Sequence, residues 1–116
     1  MYEDLAKKLK KNIEVMENTF SSNNLQIMNL NVRPCGNDDA DCDILVELST
    51  IDGGNINNSV NIKINLYDES NDLYAVEEFY IDECEFTGYD TIKISCYNDE
   101  ETLKKVVKGR IYVTLA

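Results

Sequence analysis

Between Lys63 and Lys93 the sequence holds nine carboxylates and neither lysine nor arginine. Tyr67, Tyr74, Tyr80 and Tyr89 lie in the same region. Carboxylates without neutralising amines repel one another, and a chain tolerates that where a cation benefits from it. Tyrosine is enriched at the energetic centres of protein interfaces. Acid and tyrosine without base therefore point to a surface that binds a cationic partner. The residues that carry this reading are Asp68, Glu69, Asp72, Tyr74, Glu77, Glu78, Tyr80, Asp82, Glu83 and Glu85. Part of the pattern has a plainer source. Alternation sends acids to the solvent side of a strand, and charge on an edge strand blocks pairing with a second chain.

Other chemistries are less well supplied. Asp39, Asp41 and Asp43 alternate as in the opening of a calcium loop, where several oxygens must converge on a hard cation. The sixth position is then Ile44 in place of Gly, and the twelfth is Thr50 in place of Glu, which excludes an EF-hand. A calcium site assembled from several loops stays open. Cys35 and Cys42 are seven positions apart and Cys84 and Cys96 twelve, so no tight zinc hook exists. Histidine is absent, which removes the commonest base at neutral pH. No glycine-rich phosphate loop and no nucleophile elbow occurs. The expectation is a protein that is not an enzyme and needs no cofactor.

Composition narrows the partner. The 116 residues suit a single domain spanning 1–116, and 43% hydrophobic content suffices for one core. The formal charge of −11 repels nucleic acid and anionic lipid, leaving a basic protein surface as the natural charged partner. The first residues, MYEDLAKKLKKN, hold no apolar run of the signal-peptide kind. No window approaches the ~18 apolar residues of a membrane span. The default expectation is a cytoplasmic protein with reduced cysteines.

These side chains need elements to position them. Tyr2, Leu5, Leu9, Ile13, Met16 and Phe20 fall within an arc of about 80° at roughly 100° per residue, which predicts a helix over 3–20. Its apolar stripe packs on the rest of the chain or mediates a homodimer. Its acids and lysines balance, so it is no membrane anchor. From residue 25 onward the period is two. Met28, Leu30 and Val32, then Ile44, Val46 and Leu48, then Val60, Ile62, Ile64 and Leu66 form inward sets. Pro34 to Asn37 and Asp52 to Asn55 read as turns. Tyr74 and Val76 share one parity and Phe79 and Ile81 the other, so a β-bulge is predicted at Glu77–Glu78. Ile92, Ile94 and Cys96 make a further inward set, with Cys96 a small core residue and Cys84 a loop thiol. Asn98 or Asp99 caps a short helix over about 100–107, and Ile111, Val113 and Leu115 form the last strand.

Ile64-Asn65-Leu66-Tyr67-Asp68 resembles the signature of the FxLYD domain, a small bacterial β-sandwich of immunoglobulin-like type. Leu66, Tyr67 and Asp68 match that pattern and Ile64 replaces its Phe. The family places Gly in the following turn; here Asn71 can take the left-handed conformation. Glu85-Phe86-Thr87-Gly88-Tyr89 resembles the loop that enters a later strand of such sandwiches. The resemblance covers about residues 28–115 and implies no catalytic residues.

The expected fold is mainly β: an immunoglobulin-like antiparallel sandwich of six or seven strands over 25–116, with the N-terminal helix added. A helix laid on one antiparallel sheet is the alternative. The expected function is a non-enzymatic acidic protein-binding module, such as a small inhibitor or immunity-type protein that covers a basic surface. The expected state is a monomer or a helix-mediated homodimer. A structural module that self-associates and a calcium-binding sandwich are the other readings.

Overall fold

The central strand of the larger sheet shows why this chain folds as it does. In β4 (Val60–Asp68), Val60, Ile62, Ile64 and Leu66 are fully buried, and Asn61, Lys63, Asn65 and Tyr67 alternate toward the other face. Branched residues at every second position suit a pleated strand with one face in a core. The computed structural model describes residues 2–36, 39–96 and 102–116, except for the side chains of 36, 39 and 40. Among the described residues there are three helices, α1 (Tyr2–Lys11), α2 (Glu17–Ser21) and α3 (Thr102–Lys105). The other strands are β1 (Ile13–Val15), β2 (Leu25–Gly36), β3 (Asp39–Thr50), β5 (Leu73–Ile81), β6 (Tyr89–Cys96) and β7 (Val106–Leu115). They form two sheets, ordered β1-β7-β4-β5 and β2-β3-β6. The buried faces of both sheets, with Tyr2, Ala6 and Leu9 of α1, belong to one hydrophobic cluster. No described helix is long and apolar enough to cross a membrane.

The protein is thus mainly β with two sheets, not one sheet under a helix. The predicted helix over 3–20 is three elements. Ile13–Val15 leave the helix and pair in parallel with Gly109–Ile111, so the body is not wholly antiparallel. Two β-branched residues around Glu14 favour the strand, and β7 has room for them. A Cβ on Gly109 would lie 3.5 Å from Ile13 Cγ1 and 3.2 Å from Leu66 Cδ2. Beyond β1, Thr19 of α2 carries the edge of β7 further. Its hydroxyl accepts the Val113 N–H at 3.0 Å and donates to the Met16 carbonyl at 2.7 Å.

Five further features differ from the sequence pattern. β2 runs through Pro34 to Gly36, so the turn expected at Pro34 is strand. Proline is admissible there because β2 is an edge of its sheet. Met28 is 57% exposed: Ile27 faces Leu48 and Asn29 faces Glu47, so Met28 is the extra residue of a bulge. In β5 the bulge falls at Tyr74, because Leu66 faces Ala75 while Tyr67 faces Leu73. Glu77–Glu78 are in regular register, and Glu77 therefore shares the inner face with Phe79 and Ile81. The short helix is confined to α3, and β7 begins at Val106. Its proposed caps, Asn98 and Asp99, lie outside the described residues. Leu115, expected inward, is 62% exposed.

Candidate functional site

β5 belongs to one sheet and β6 to the other, so the chain must cross between layers at residues 82–88. Asp82 fixes the crossing. Its carboxylate accepts the Cys84 N–H at 2.8 Å, and its carbonyl accepts the Glu85 and Phe86 N–H groups at 3.1 Å. Glu83 donates its N–H to Ser59 Oγ at 3.0 Å, and the Phe86 ring is buried beneath the loop. Gly88, at φ +98°, closes the turn; its carbonyl accepts the Thr50 N–H at 2.9 Å. A side chain there would meet the Gly54 carbonyl at 3.0 Å, so glycine is required on two grounds.

This anchored corner encloses a pocket of about 180 Å³ lined by Phe79, Tyr80, Ile81, Asp82, Glu85, Phe86 and Asp90. At roughly 30 Å³ per water the space equals about six waters, enough for one long side chain. Three carboxylates and three aromatic rings face it, with no lysine or arginine in the lining. Carboxylates attract a cation, and ring faces hold an ammonium or guanidinium group through their quadrupole.

The acids expected to form one surface are divided. Tyr80, Asp82 and Glu85 come together in the pocket, with Glu83 exposed on the same loop. Asp68, Glu69 and Asp72 sit at the β4–β5 hairpin tip. Eight steps of about 3.3 Å along β5 place that tip ~26 Å from the corner. There Asp68 accepts the Ser70 and Asp72 N–H groups at 3.0 Å, and Asn71 takes φ +66°. Tyr74 is half-buried at the bulge. The acids are not all uncompensated either. Glu78 faces Lys63 across the strands with a nitrogen–oxygen distance of 3.9 Å. Near the tip, Lys108 and Arg110 lie over the Tyr67 ring at 5.1 and 5.4 Å. Glu77 turns inward, and burial raises its carboxyl above the ordinary value.

Phe79, Ile81, Phe86 and Asp90 complete the pocket and were not among the residues singled out from sequence. Phe86 lies in the run Glu85–Tyr89 that resembles a strand-entry loop, and Asp90 follows that run directly, which was the available signal. Tyr89 leaves the pocket: its hydroxyl bonds to Glu47 on the neighbouring strand, which raises its pKa.

Two of the three alternate aspartates are engaged within the chain. Asp41 accepts the Thr102 N–H at 3.4 Å and its hydroxyl at 3.3 Å. Asp43, 6% exposed, accepts Ser95 Oγ at 2.9 Å and Cys35 Sγ at 3.4 Å, and faces Arg33 Nε at 3.7 Å. The Asp39 side chain lies outside the described residues. Among the described residues no three His, Cys, Asp or Glu side chains are grouped to hold a metal.

Three larger clefts among the described residues lack the combination found at the corner; the smallest, of about 270 Å³, has Glu14 and Glu17 but no aromatic ring. One of about 380 Å³ sets Lys10 against Glu47 among Asn29, Asn31 and Thr91, so its charges offset. Another of about 340 Å³, between α2 and β2, is walled mainly by Phe20, Leu25, Ile27 and Ile51 and has one acid, Glu17.

No protein-family model matches the sequence, and no curated protein matches it. Among solved structures, the crystal structure of Campylobacter jejuni cj0090 aligns over 90% of this chain and 98% of that one, at 10% identity and a TM-score of 0.49. That likeness is too slight to bear on function.

Proposed function

We propose that this protein is a non-enzymatic binding module that docks a basic protein surface by taking a lysine or arginine side chain into the pocket at the β5–β6 corner. One observation carries the reading: Asp82, Glu85 and Asp90 share a pocket with Phe79, Tyr80 and Phe86, and no basic residue lines it. The loop is already held by backbone and side-chain bonds, so a ligand need not order it, which favours affinity. The net charge of −11 steers a basic partner toward the protein at long range. An inhibitor or immunity-type protein would use these same terms.

The fold reading that goes with this function is an immunoglobulin-like sandwich of the FxLYD kind. It is supported by Ile64–Asp68 running into a hairpin with Asn71 left-handed where that family has glycine. Self-association through the helix is less well supported, because Tyr2, Ala6 and Leu9 of α1 are spent in the chain's own core.

The test is titration of isotope-labelled protein with an arginine-rich peptide, followed by amide chemical shifts. The expected result is saturable shifts at residues 79–90, weakening as salt rises from about 0.02 to about 0.3 M. Glu85→Gln is expected to weaken binding ~10-fold, or about 1.4 kcal/mol. Shifts that track every exposed acid equally, the hairpin tip included, would count against a defined site.

A further inference from the structure

Two of the four cysteines meet across the smaller sheet. Cys42 of β3 and Cys96 of β6 are direct partners in the antiparallel register. Partners in such a pair point to the same face, and both side chains are fully buried with their thiols unlinked. Direct antiparallel partners have Cα atoms about 4.5 or 5.5 Å apart, and both spacings lie within the disulfide range. Cβ atoms of such partners stand ~4.5–5.5 Å apart, against about 3.8 Å in a disulfide, so the strands must draw slightly together. A bond made under that demand is more readily reduced than an unstrained one.

We infer that Cys42 and Cys96 are a redox modification site that closes to an intrachain disulfide by exchange with a low-molecular-weight disulfide of the glutathione class. The Cys96 thiolate attacks the incoming disulfide, forming a mixed disulfide and releasing one thiol. The Cys42 thiolate then attacks Cys96 Sγ, forming the Cys42–Cys96 bond and releasing the second. The two protein protons end on the two released thiols, and the two electrons reduce the incoming disulfide.

Access comes from the position of the pair. Cys96 is the last residue of β6, and β6 is an edge of its sheet, so the strand end can fray without unfolding the centre. While the strand is closed the pair is protected. The hydrogen bond with Cys42, then burial, hold the Cys96 thiol far above the ordinary thiol range, and the neutral thiol is a poor nucleophile. Closure ties β6 to β3 beside Thr102, whose hydroxyl donates to the Cys96 carbonyl at 3.4 Å. The bond therefore fixes the end of β6. Exposed Cys84 meets the same oxidant first but has no described partner in the register of either sheet.

The experiment incubates the full chain, native, with oxidised and reduced glutathione at fixed ratios, then denatures, alkylates and maps the cysteines by mass spectrometry. A Cys84→Ser variant is carried in parallel to remove the exposed thiol. The expected result is a peptide pair joined through Cys42 and Cys96, lighter by two hydrogens, formed equally in the variant. The melting temperature should rise by several degrees and return on treatment with dithiothreitol. Cys42→Ala or Cys96→Ala should abolish both effects. Oxidation confined to Cys84, a link through Cys35, or a Cys42–Cys96 link formed only in denaturant would overturn the inference.

Discussion

Glu77 is an acid on the wrong side of a strand, and its neighbours explain the cost. It faces Ile64 on the inner side of β5, and burial lifts its carboxyl above the ordinary value of 4.5. The fold therefore favours the neutral acid. The associated stability is fully present below pH 4.5 and is lost as the pH rises through the folded value. Glu77→Gln is expected to raise the melting temperature at pH 7 by a few degrees, with the advantage shrinking as the pH falls through the folded value and gone below pH 4.5. Thermal melts of both proteins across that range check it; equal melting temperatures at pH 7 would show that the carboxylate is fully solvated. Thr19 makes a converse case. Its hydroxyl is the acceptor for the Val113 N–H past the end of β1. Thr19→Val keeps the shape and removes the acceptor, which should cost ~1–3 kcal/mol in denaturant unfolding. Neither role was legible in the sequence. The parity switch between Val76 and Phe79 invited a bulge that kept every apolar residue inward. The register with β4 instead places the bulge at Tyr74 and leaves Val76 outside.

At the scale of elements, strands with long alternation were legible and short or irregular ones were not. β4 announces itself because Val60, Ile62, Ile64 and Leu66 hold one parity for seven residues. β1 does not, because Ile13, with Met16 just beyond the strand, also fits the arc of a helix running from Tyr2 to Phe20. What decides between the two is Gly109, far away in the sequence, where β7 leaves space for Ile13. Gly109→Ala would place a Cβ 3.2 Å from Leu66 Cδ2 and 3.3 Å from the Asn65 carbonyl. The loss is expected to be ~1–3 kcal/mol, and hydrogen exchange should show β1 loosening first. Protection loss spread evenly over both sheets would argue against a local wedge. The pocket was legible in part for the same reason. Tyr80, Asp82 and Glu85 stood out by charge and ring, but Phe79 and Phe86 looked like ordinary core until the crossing loop was seen to bring them beside the acids.

The whole molecule carries twice as many acids as bases, 22 against 11. Repulsion within so small a body opposes its compaction, and salt screens it. The melting temperature is therefore expected to rise between about 0.02 and about 0.3 M salt, the opposite of what a fold dependent on surface ion pairs would show. Differential scanning in a series of sodium chloride concentrations tests the sign. That charge was plain from composition, whereas its division between the hairpin tip and the corner follows from the ~26 Å length of β5.

The order β1-β7-β4-β5 has a consequence for how the chain comes into being. A ribosome delivers β1, β4 and β5 well before β7, yet β7 is the plank that joins the first of these to the others. Until it emerges, the nascent chain holds the β4–β5 hairpin with one flank bare and an orphaned N-terminal segment. The vulnerable interval of synthesis, when a chaperone would have most to shield, thus lasts until β7 has cleared the exit tunnel.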